Sequence, residues 1–90
     1  MTQLAAYIAS HGATIEVGNR SFIVLGISGD RDLAVATFGG TRSKARFTAV
    51  VSVNRNLVAG KPDAEVWSVV GSARTIARFA VWNDTIIPLR

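Results

Sequence analysis

Between Arg42 and Asn54 the chain reads R-S-K-A-R-F-T-A-V-V-S-V-N, its longest unbroken alternation. Successive side chains on a strand point to opposite faces. Arg42, Lys44, Arg46, Thr48, Val50, Ser52 and Asn54 then share one face. Ser43, Ala45, Phe47, Ala49, Val51 and Val53 share the other, which is small and apolar and suited to packing. Thr48, Val50, Val51 and Val53 are β-branched, which argues against a helix capped by Thr41. The period-two pattern predicts a strand over 42–54 that presents three cations at its start.

Other short runs of the same kind surround it. Thr14–Val17 and Arg20–Ile27 flank Gly18-Asn19, a two-residue hairpin signal. Leu33–Phe38 follows the turn-rich Ser28–Asp32 and stops at Gly39-Gly40. Residues 54–63 hold Asn, Gly, Lys and Pro and read as a long loop. Ala64–Val70, Ala73–Trp82 and Thr85–Leu89 complete the series, separated by Gly71-Ser72 and Asn83-Asp84. Pro88 lacks an amide donor and suits an edge strand.

Only Thr2–His11 has helical spacing. Leu4, Tyr7 and Ile8 form its stripe, Thr2 is an N-cap residue and Gly12 a natural stop. Three turns are not stable alone, so the stripe must dock on the sheet. The chain of 90 residues is therefore expected to be one mainly β domain. It combines a helix over 1–12 with a β-rich body over 13–90. The body is a six- to seven-stranded antiparallel meander closing into a small barrel or strongly bent sheet. Phe22, Phe38, Phe47 and Phe79 are its expected large core anchors.

Composition narrows the function. Hydrophobic residues make up 49% of the chain and charged residues only 18%, too apolar for intrinsic disorder. So high an apolar fraction in so short a chain favours a homo-oligomer or a surface covered by a partner. No apolar run reaches the roughly 20 residues of a membrane span. No secretory signal opens the sequence and it contains no cysteine, which fits an intracellular, cytoplasmic protein. The formal net charge is +4, and arginine outnumbers lysine eight to two. Arginine favours bidentate contacts to phosphate and carboxylate, so the expected partners are DNA, RNA or an acidic protein.

A second segment strengthens the basic theme. Arg42–Phe47 and Arg74–Phe79 both fit R-x-x-A-R-F. On unbroken strands Arg42 and Arg46 share a face, as do Arg74 and Arg78, and Trp82 has the parity of the latter pair. If both strands present these faces together, Arg42, Lys44, Arg46, Arg74 and Arg78 form one phosphate-binding surface. Arg55 and Lys61 add to it from the long loop, and Trp82 stacks on a base. The match is also short enough to arise by chance, and a solvated basic face explains the same residues.

Catalysis has little to stand on. His11, the single histidine, belongs at a helix C-terminus, where a cation suits the dipole. Asp30 and Asp32, or Asp63 and Glu65, are explained by turn and strand-entry chemistry without a metal. Asn19-Arg-Ser21 and Asn83-Asp-Thr85 fit the glycosylation sequon but read as turns. No nucleophile, base and oxyanion donor can be assembled. The expectation is a non-enzymatic basic binding protein without cofactor or metal. The alternative is a self-assembling, virus-like structural subunit or an inhibitor that binds a larger host protein.

Overall fold

A computed structural model describes residues 1–53 and 58–90. Seven strands follow helix α1 (Gln3–His11): β1 (Thr14–Val17), β2 (Arg20–Ser28), β3 (Val35–Gly40), β4 (Arg46–Val53), β5 (Glu65–Gly71), β6 (Arg74–Trp82) and β7 (Thr85–Leu89). A single 3-10 turn, Arg31–Leu33, joins β2 to β3, with Asp30 accepting the Arg31 amide at its start. Each strand pairs antiparallel with the next, in the order β1 to β7, and β1 and β7 approach each other across a seam. The expected meander is therefore a nearly closed, seven-stranded barrel-like sheet.

The register explains the curvature. Ile27, Ala36, Ala49, Val69 and Ala77 form one row across the inner face. Small residues in that row let the sheet curl. Larger residues fill the space on either side: Phe38 opposite Phe47 in one row, and Val51, Trp67 and Phe79 in another. Phe38 lies 5.7 Å from Phe22 and 6.1 Å from Phe79 by ring centroids, so the four phenylalanines meet as expected. Two bulges add twist. Leu25 is the extra residue in β2 and Ile76 the extra residue in β6.

Helix α1 closes one end of this barrel. Leu4 is fully buried in the main core, with Tyr7 and Ile8 packed against it. The first amides of a helix need acceptors from outside it. Thr2 takes the Ala5 amide at 3.0 Å, and the buried carboxylate of Glu65 takes those of Gln3 and Leu4. Glu65 also accepts the indole N–H of Trp67, two residues along the same inner face of β5. At the other end of the helix, His11 is 2.8 Å from Asp84 in the β6–β7 turn and stacks on Tyr7.

The basic strand starts later than its pattern suggests. β4 begins at Arg46, and Arg42 and Lys44 lie in the exposed β3–β4 loop. That loop closes on itself: the Gly40 amide donates to the Ala45 carbonyl, and Ser43 Oγ accepts the Ala45 amide. From Phe47 onward the alternation holds, with Phe47, Ala49 and Val51 inward and Thr48, Val50 and Ser52 outward.

Candidate nucleic-acid interface

In a meander, successive connections alternate between the two ends of the sheet. The β1–β2 turn, the β3–β4 loop, the β5–β6 turn and the end of β7 therefore gather at one end. Helix α1 and the other connections lie at the opposite end. This sorting separates the charges. Arg20, Arg46 and Arg74 are the first residues of β2, β4 and β6. Together with Arg42, Lys44 and Arg90 they place six cations at the helix-free end, all exposed. Glu16 is the only acid in the strands and turns of that end, whereas Asp30, Asp32, Asp63, Glu65 and Asp84 lie at the other.

Neighbouring strands are about 4.8 Å apart, so the backbones of Arg20, Arg46 and Arg74 step across the rim by about 10 Å each. Among the described residues the ion pairs are Met1 with Asp30 and His11 with Asp84, both at the helix end. The Met1 amino group and the Arg31 amide hold the Asp30 carboxyl below the usual carboxylate range. Among the described residues no ion pair joins a cation of the opposite rim. Arg46 is braced instead, donating to the carbonyls of Lys44 and Ala45 at 3.1 and 3.0 Å. Unneutralised like charges on one rim repel one another and raise the local anion concentration.

Arg78 flanks this rim on the outer wall. It is half-buried and donates to the Arg90 carbonyl at 3.0 Å. A shallow groove of about 420 Å³ lies beside it, lined by Thr75, Ile76, Ala77 and Leu89 as well as the two arginines. Arg74 does not share the face of Arg78. Arg78 pairs with Ser68 and Arg74 with Gly71, so four residues on β6 span only three on β5. The bulge at Ile76 reverses the parity, and unbroken alternation is the wrong rule there.

The two R-x-x-A-R-F segments are correspondingly unlike. Arg46 opens its strand after a loop, while Arg78 sits in the middle of one. They do not form equivalent strands of a duplicated unit. Lys61 and Trp82 are also removed from the basic rim. Lys61 Nζ lies 5.3 Å from the Trp82 ring centroid at the end of β6 near the helix. There Trp82, Val58, Ile87 and Leu89 cover a small second core of Ala64, Val66 and Ala80 on the outer face. Trp82 is thus a packing residue under a lysine, and base stacking would first have to displace that cover. Arg55 lies outside the described residues.

The chain matches no family model, and comparison with curated proteins and solved structures gives no match. The site therefore stands on its own geometry. Of the eight expected residues, Arg42, Lys44, Arg46 and Arg74 come together, with Arg78 beside them. Arg20 and Arg90 were not among them and belong to the same end. Arg20 directly follows Gly18-Asn19, and that turn is the signal for its place: first and third connections of a meander share an end.

No group of three or more histidine and carboxylate side chains comes together among the described residues in a way that could hold a metal. Nor does any described helix have the length and apolarity to cross a membrane.

Proposed function

We propose that this is a small nucleic-acid-binding protein that contacts phosphates through the helix-free end of its barrel. The observation that carries the proposal is the gathering of Arg20, Arg42, Lys44, Arg46, Arg74 and Arg90 on one rim, without ion-pair partners among the described residues. Phosphate contacts release condensed counterions and so depend steeply on salt. They position the ligand and carry no sequence information. The proposed activity is weakly sequence-selective and non-catalytic. Fluorescence-anisotropy titrations with labelled DNA and RNA at two salt concentrations test it. Binding at low salt that weakens steeply as salt rises is expected. Absence of binding at low salt, or binding that ignores salt, refutes it.

A second reading, self-association, is favoured by the outer face of β2–β4. Val35 and Val50 are direct cross-strand partners, and both are exposed together with Leu25 and Leu33. Such a face suits a second copy of the chain. Light scattering after size exclusion separates a homo-oligomer from a monomer. The two surfaces adjoin, because the Arg46 guanidinium lies beside Leu25 over Gly39 on this same outer face.

A further inference from the structure

Resting on the reading above, we infer that the nucleic acid this end accepts is a duplex rather than a single strand. Proteins that hold single strands without sequence preference combine a basic groove with aromatic side chains on which bases stack. The basic rim has the first element and lacks the second. Phe22, Phe38, Phe79 and Trp67 are buried in the core. Phe47 starts inward from the rim but is packed edge-on against Phe22, with its ring beneath Gly71. Tyr7 is stacked on His11 at the opposite end, and Trp82 lies under Lys61 there. These seven are all the aromatic residues of the chain, so residues 54–57 supply none.

What remains is attraction to phosphate, and that favours the denser polyanion. A duplex carries one charge per about 1.7 Å of axis, and each neutralised phosphate contributes about 0.9 to the salt slope, against about 0.7 for a single strand. The placement of the cations fits a stiff ligand. Arg20, Arg46 and Arg74 start strands and are fixed by the sheet, so they meet a preformed backbone without wrapping around it. A flexible strand would lose entropy on this rim without recovering it in stacking.

Competition anisotropy tests the inference on the intact chain. A labelled duplex is displaced by unlabelled duplex DNA, duplex RNA or oligothymidylate of equal nucleotide content. Duplexes are expected to compete at least about tenfold better than oligothymidylate. Tryptophan emission is expected to stay unchanged when oligothymidylate saturates the protein. Equal or better competition by the single strand, or stacking-type quenching of the tryptophans, overturns the inference and leaves phosphate binding standing. Failure to bind any of the three ligands at low salt overturns both.

Discussion

Arg74 and Arg78 lie four residues apart on β6 yet face opposite sides of the sheet, because Ile76 is an extra residue between their partners Gly71 and Ser68. Arg74 is exposed on the rim, whereas Arg78 is half-buried against the Arg90 carbonyl. Arg74→Gln is expected to weaken DNA binding roughly threefold and to lower the salt slope by about one. Arg78→Gln is expected to affect binding less and to lower the melting temperature more. Anisotropy and thermal melts on both variants check this order.

Trp82 packs on the small outer core of Ala64, Val66 and Ala80, at the end of β6 away from the basic rim. Trp82→Ala removes a half-buried indole and its contact with Lys61, and is expected to cost about 2–3 kcal/mol of stability. DNA affinity of the folded variant should match that of the parent. Denaturant unfolding beside an anisotropy titration measures both, and a large affinity loss would return Trp82 to the binding site.

Glu65 fastens α1 to the barrel. Its carboxylate accepts the amides of Gln3 and Leu4 and the Trp67 indole, and is almost wholly buried. Glu65→Ala leaves three donors without their acceptor and is expected to destabilise the fold by about 3 kcal/mol. Glu65→Gln keeps an acceptor oxygen and should cost less, about 1–2 kcal/mol. Urea unfolding gives both values, and hydrogen exchange at the first turn of α1 should rise first in Glu65→Gln.

The β5–β6 turn makes opposite demands on neighbouring residues. A Cβ at Gly71 would lie 2.9 Å from the Phe47 ring, so Gly71→Ala is expected to destabilise by about 1–3 kcal/mol through overpacking. Ala73 has φ 63, a left-handed conformation costly for a residue with a side chain. Ala73→Gly is expected to stabilise by about 0.5–1 kcal/mol. Thermal melts of the two variants should therefore shift in opposite directions.

The fold was legible where local chemistry decides it. Gly18-Asn19 and Asn83-Asp84 mark hairpins, and the alternation from Phe47 to Val51 sorts core from surface. The β-branched residues between Thr48 and Val53 also reject a helix. The site was less legible, for two physical reasons. Parity counting assumes an unbroken ladder, and Ile76 breaks it between Arg74 and Arg78. Face counting also overlooks the ends of a barrel. Arg42 and Lys44 lie in a loop, and Arg20 and Arg90 share their end of the barrel only because alternate connections of a meander meet. Trp82 has the parity of Arg78, but parity does not show that Lys61 lies over its ring at the helix end.

Paired charge removals separate the location of the charge from its total. One variant carries Lys44→Gln and Arg74→Gln on the basic rim. A control carries Arg31→Gln and Lys61→Gln at the helix end, with the same change in net charge. DNA titrations at matched salt should show affinity reduced roughly tenfold, with a salt slope lower by about two, for the rim variant and little change for the control. Equal losses in the two variants would refute binding through the rim, because affinity would then follow net charge alone.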